Sequence, residues 1–250
     1  MRKILFSLFL LIALALPALQ AAEIALIIDD IGNSRNDESA FLLPKEVTFS
    51  ILPHTPFSNE FAHRAAKQQR EVMLHMPMES LAGTNPGPGA ITSSMSPQAI
   101  QHKLSRAIED IPNALGLNNH MGSKLTQLTL PMTTTMEFLQ QRDMYFLDSR
   151  TTRYSKAEKI AHKVGVEVLH RNVFIDHSLD PAKMQKEFQR LVRIAKKYRK
   201  AIGIAHPNST TMHFLQQNLH QLAEHNITLV PISRFLSKKG IYSQNVRLNR

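Results

Sequence analysis

The chain contains no cysteine. That excludes thiol nucleophiles and thiolate metal sites. It does not speak against an oxidising compartment, which permits disulfides without requiring them. Tryptophan is also absent, and there are only four tyrosines. No basic stripe carries interleaved aromatics, so the stacking platforms of single-strand nucleic-acid binders are missing. The sequence also lacks a Gly-rich phosphate loop, a G-x-S-x-G elbow and an H-E-x-x-H pair. Their absence argues against P-loop nucleotide chemistry, serine hydrolysis of the α/β-hydrolase type and zincin proteolysis. Beyond the N-terminus, no apolar segment is long enough to cross a bilayer.

What is present begins with Arg2 and Lys3, followed by an apolar run from Ile4 to Leu16, then Pro17, Ala21 and Ala22. A basic start, a short apolar core and a small-residue exit describe a secretory signal peptide over residues 1–22. The run falls short of the roughly 20 residues a spanning helix needs; an uncleaved anchor is the alternative. The mature chain is expected to start near Ala22 or Glu23 in the periplasm or another exported compartment, with no transmembrane span. Its length suits one large α/β domain or two small ones, and a single domain over 23–237 is expected, with a core that needs no staple. The net charge of +10 favours anionic partners such as lipid headgroups or acidic glycans, with nucleic acid the weakest fit. The densest basic cluster, Arg190 to Lys200, falls on an expected helix and reads as a solvated face. The basic, unpatterned segment 238–250 reads as a loose tail.

Between these ends a unit repeats: a short β-branched run, a polar turn, then a segment of helical period. The runs are Ile24–Asp29, Val47–Leu52, Glu71–His75, Ala114–Asn118, Met144–Asp148, Val166–Leu169, Ala201–Ala205 and Ile227–Val230. Several are nearly continuous hydrophobics, as expected of parallel strands covered by helices. Ser155 with Glu158 spells a capping box ahead of a helix ending at Val164, with Gly165 as its stop. Ser96–Pro97 and Asp180–Pro181 each place a cap before proline at the first helical position, opening helices to about Ile108 and Tyr198. Ser209 or Thr210 can cap a helix to about Glu224. These units predict a (β/α) barrel of seven or eight strands, with a doubly wound open sheet as the alternative. The longest interval, Glu71 to Ala114, contains the Gly-, Pro- and Ser-rich stretch 83–96, which reads as a binding loop or lid.

Polar residues fall at one end of these runs. Asp29 and Asp30 end the first, His75 the third, Asn118–Asn119–His120 the fourth and Asp148 the fifth; Asp176 and His177 follow the sixth, and His206 ends the seventh. In a parallel barrel these positions converge on the rim where such enzymes place their sites. One carboxylate and two imidazoles are a usual ligand set for zinc or a similar divalent ion, with a position left for water. Such water is a nucleophile near neutral pH; a second carboxylate can take its proton and a separate histidine can protonate the leaving group. His54 ends the second run and could line the pocket. His63, His102, His162, His170, His213, His220 and His225 lie away from strand ends or within helices, and read as solvated.

The segments IALIIDDIGNS, VTFSILPHTPFS, REVMLHMPMES, GLNNHMGSKLT, FLDSRTT, RNVFIDH and IGIAHP, taken as an ordered set, resemble the divergent polysaccharide deacetylase family, a branch of the NodB-homology carbohydrate esterases. The resemblance runs from Glu23 to about Phe235. It implies a distorted (β/α) barrel of the deacetylase type that removes N-acetyl groups from polysaccharide with a metal-activated water. It further implies Asp29 as the base, Asp30 as a metal ligand and His206 as the group protonating the leaving amine, with Asp148 tuning His206. His75 takes the first position of the family's paired-histidine motif. The second, four residues on, is Glu79, so the third ligand is expected from His120, with Glu79 as the alternative.

The implied activity is that of a hydrolase of C–N amide bonds: a metal-dependent, zinc-using deacetylase of acetylated polysaccharide or peptidoglycan fragments. A catalytically altered, non-enzymatic glycan-binding or envelope-organising protein is the alternative, supported by the missing second histidine. A metal-dependent phosphoesterase is a third reading. Backbone amides near Leu81 are candidates for an oxyanion site.

Overall fold

The computed structural model describes residues 21–237. The expected leader, apart from Ala21 and Ala22, and the expected tail 238–250 lie outside the described residues. The strands are β1 (Ala22–Ile31), β2 (Thr48–Ile51), β3 (Val72–Met78), β4 (Ala114–Met121), β5 (Tyr145–Asp148), β6 (Val168–His170), β7 (Val173–Phe174), β8 (Lys200–Ala205) and β9 (Ile227–Leu229). Every pairing is parallel, in the order β6-β5-β4-β3-β2-β1-β8-β7, with β9 paired to β1.

The two ends of that order are consecutive in sequence. β6 adds to β5 and β7 adds to β8. Between them the Arg171 amide donates to Asp148 O at 3.0 Å and the Asn172 amide to Ile202 O at 2.9 Å. One short segment therefore bridges both edges of the sheet, and the curl it enforces is a distorted (β/α) barrel rather than the open doubly wound sheet. Taken as one stave, β6 and β7 bring the ring to seven; β9 shares one edge of β1 with β2, covering Ala22–Ile24. The expected sixth strand, 166–169, is shifted and split because its two halves have different partners.

The near-continuous apolar character of β1 follows from burial on both faces. Ile24, Leu26 and Ile28 pack in the layer under the helices, while Ala25 and Ile27 face the barrel interior with Met73, Tyr145, Leu147, Ile202 and Ile204. Ile232 and Leu236, from the short turn of helix at Ile232–Phe235 and the residue after it, join that interior cluster. Because side chains alternate along a strand, the inward rows continue past this apolar floor. Ala25 and Ile27 lead to Asp29, Met73 to His75, and Ile202 and Ile204 to His206. The polar mouth is the continuation of the core.

The outer helices are α1 (Ser58–Lys67), α2 (Pro97–Asp110), α3 (Thr129–Gln140), α4 (Ala157–Val164), α5 (Pro181–Tyr198), α6 (Ser209–Asn218) and α7 (Gln221–Glu224). Ser96 Oγ accepts from Ala99 N, and Asp180 accepts from Ala182 N and Lys183 N, so both Pro-led caps form. Gly165 closes α4 in the left-handed region, φ 86°. The Ser155–Glu158 capping box does not form. Ser155 Oγ accepts from Ala157 N, but the Glu158 carboxylate turns to Arg150 Nη2 at 3.1 Å. The helix expected to run from Ser209 to Glu224 breaks after Asn218, and Ser209 is its first residue rather than its cap. Among the described residues no helix is long and apolar enough to cross a membrane.

Candidate metal centre

Neighbouring residues of a strand point to opposite faces, yet Asp29 and Asp30 serve the same mouth. The backbone explains how. The β1–β2 register shifts between Ile28 and Ile31, and Asp30 has φ 59°. Aspartate is among the few residues that tolerate this left-handed conformation, and strain of this kind is characteristic of functional sites. The bulge brings Asp30 to His75 and His120, which sit on neighbouring strands with His75 opposite Asn118 and His120 opposite Pro77.

Asp30, His75 and His120 each offer one donor atom, all within 4.8 Å of one another. Asp30 Oδ1 lies 3.0 Å from His75 Nε2 and 2.7 Å from His120 Nδ1, and the two rings approach at 3.3 Å between these nitrogens. Despite such proximity, Asp30 Oδ1 is buried without a hydrogen-bond partner. Three donors crowded around a common point, one an orphaned carboxylate oxygen, fit a divalent cation. Burial pushes the Asp30 pKa up, but His120 and His75 outweigh it and hold the carboxyl far below the usual range. It is therefore ionised, as a ligand must be.

Asp29 is buried beside this group, its Oδ2 3.7 Å from His75 Nε2. Burial raises its pKa above the ordinary value, against the pull of His75 and His206. His206 completes the mouth, with Nε2 4.0 Å from Asp30 Oδ2 and Nδ1 3.0 Å from Asp176 Oδ1. Burial disfavours its cation, but Asp176, with Asp29 and Asp30, prevails and lifts the pKa to about 9. Asp176 is anchored in turn, accepting from the His206 amide at 2.7 Å and from Thr211 Oγ1 at 3.0 Å.

Other expected positions lie differently. Asp148, expected to tune His206, instead accepts from the Arg150 amide at 2.8 Å; the carboxylate on His206 is that of Asp176. The register contains the signal. Phe174 pairs with Ile204, so Asp176 and His206, each two residues on, meet at the next inward position. Glu79, the alternative ligand, is engaged elsewhere: Lys124 Nζ and the Ser93 amide reach its two oxygens, each at 2.6 Å. That pair ties down the loop 83–96, which Ile91 also fastens to β3 through Pro77 O and the Glu79 amide, at 2.9 and 3.0 Å. His54 does not join the donor cluster; its Nδ1 meets Asp110 Oδ2 at 2.7 Å. The Leu81 amide donates to Ser123 Oγ at 3.0 Å, so it is not free to receive an oxyanion. His177 is exposed.

The curled parallel (β/α) barrel is a fold also found among carbohydrate deacetylases. The chain belongs to the divergent polysaccharide deacetylase family, whose model matches residues 26–236. It is 34% identical over 232 residues to the uncharacterized protein YibQ of Escherichia coli K12, covering 92% of this chain and 72% of that one. An uncharacterized protein of Agrobacterium tumefaciens C58 has a crystal structure that superposes with a TM-score of 0.83 at 22% identity, covering 87% of this chain and 90% of that one. A peptidoglycan N-acetylglucosamine deacetylase superposes with a TM-score of 0.54 at 11% identity, covering 86% and 87%. At such identities the two structures share the fold.

Proposed function

We propose that this chain is an exported, zinc-dependent deacetylase of N-acetylated amino sugars in cell-envelope glycan. The observation carrying the reading is the orphaned Asp30 oxygen facing two imidazole nitrogens, beside an independent carboxylate and an independent histidine. Asp30, His75 and His120 would hold the ion. A divalent ion in such a site lowers the pKa of water and polarises a carbonyl oxygen.

The chain's own residues account for the proton transfers. Asp29 stands next to the cluster with a raised pKa, which strengthens it as an acceptor for the proton of an attacking water. His206, held protonated at neutral pH by Asp176, donates a proton to the departing amine nitrogen. The basic, then apolar, N-terminal segment supports export to the periplasm, and the fold shared with a peptidoglycan deacetylase supports an acetylated glycan as substrate. The glycan-binding alternative rests on the histidine missing at Glu79; with His120 supplying a nitrogen to the cluster, that observation loses its force.

The test is acetate release by the zinc-loaded protein from chito-oligosaccharides and peptidoglycan fragments. Asp29→Asn should reduce turnover by at least about 100-fold, the usual scale for a general base. Absence of turnover on every acetylated glycan, or turnover on phosphoesters instead, contradicts the reading.

A further inference from the structure

One buried side chain touches both halves of the mouth without belonging to either. Asn118 is fully buried on β4. Its Oδ1 accepts from His75 Nδ1 at 2.7 Å and also from the Ser50 hydroxyl. Its Nδ2 donates to Asp29 Oδ1 at 2.9 Å and to Ser149 Oγ at 3.3 Å. All four hydrogen-bonding positions of the amide are thus engaged, and three of the partners, Ser50, Asp29 and His75, come from different strands.

The amide has one orientation in the structure: its nitrogen faces Asp29 and Ser149, and its oxygen faces His75 and Ser50. An oxygen there requires His75 Nδ1 to carry the proton. In the neutral ring the other nitrogen, Nε2, is then bare, and Nε2 is the atom 3.0 Å from Asp30 Oδ1. A bare nitrogen beside a carboxylate oxygen, with His120 Nδ1 at 3.3 Å, is an arrangement suited to a cation.

We infer that Asn118 is a positioning residue that couples the Asp29 carboxylate to the tautomer of His75, presenting Nε2 to the ion while orienting Asp29. This rests on the metal-dependent reading for its purpose, but the tautomer can be tested without metal. Long-range proton–nitrogen NMR of the metal-free protein, at a pH where the ring is neutral, should find the His75 proton on Nδ1. In Asn118→Ala that preference is lost, and zinc affinity, measured by competition with a chromophoric chelator, falls by about 10–100-fold. Asn118→Asp retains an acceptor for His75, but its carboxyl, buried beside that of Asp29, must share a proton with it, which disables Asp29 as a proton acceptor. The variant should hold zinc within a few-fold of the wild type while its turnover falls as far as that of Asn118→Ala.

A residue that merely fills space would give two variants whose zinc affinity and turnover decline together. That result, or a wild-type proton on Nε2, overturns the inference. A wild type with the Nδ1 proton and no zinc affinity sustains the coupling and refutes the metal-dependent function instead.

Discussion

Asp176→Asn isolates the charge that holds His206 protonated. The oxygen of the introduced amide can still accept from the His206 backbone N–H and from Thr211, as Asp176 Oδ2 does now, so the loop should survive. The imidazole stands at about 9 against an ordinary 6.5. At 1.36 kcal/mol per pH unit this corresponds to about 3 kcal/mol in favour of the cation. Asp29 and Asp30 share in it, and the His206 side chain is 32% exposed, so solvent screening leaves Asp176 about 2 kcal/mol. The midpoint should therefore fall by about 1.5 pH units, to about 7.5. The assay is a proton NMR titration of the His206 ring in metal-free protein. Stability gives a second readout. A raised pKa contributes stability that is fully present below 6.5 and lost as pH rises through about 9. Wild type and variant should thus differ most in melting temperature on the acid side and converge above pH 9. Equal midpoints in the two proteins, or a wild-type midpoint near 6.5, refute the reasoning.

Two further perturbations probe the supporting structure. Lys124→Ala removes the main cause that holds Glu79 at about 2. Glu79's share of stability, present above 4.5 and now lost only as pH falls through about 2, would then be lost nearer 4.5. Limited proteolysis within 81–90 should speed up severalfold while the melting temperature barely moves, since a half-buried surface pair contributes about 1 kcal/mol; an unchanged cleavage rate would show that the pair does not tether the loop. Tyr145→Phe takes a 2.7 Å donor from half-buried Glu71, leaving Ser233, and should cost about 1 kcal/mol. Burial holds the Glu71 pKa above its usual value against these two donors. Its stabilisation is therefore full below pH 4.5 and lost as pH rises through the folded value, so the deficit of the variant should widen from acid to neutral pH in thermal denaturation; a deficit independent of pH would exclude Glu71 as its source.

The strands were legible because burial on both faces writes them as short apolar runs, and Ile24–Asp29 lies within β1 as expected. Helix starts were legible where proline follows a capping side chain, at Ser96 and Asp180. Where a cap could be outbid by a distant partner the local pattern failed: Glu158 serves Arg150, a residue on the preceding loop, rather than its own helix start. The same holds in the candidate centre. Asp30, His75 and His120 stand at strand ends with several other polar residues, and it was the family resemblance that singled them out. The choice of Asp176 over Asp148 depends on which strands adjoin β8, and the split of β6 from β7 decides that. The bulge at Asp29–Asp30 leaves no composition signal at all, because aspartate occupies the left-handed position that glycine would have announced.

Calorimetric titration of the metal-free protein with zinc tests the central claim most directly. The account predicts one ion per chain, with affinity reduced in His120→Ala by more than the about 10–100-fold that supporting partners of a ligand command. Zinc binding of equal strength in both proteins, or no binding by the wild type, would contradict it.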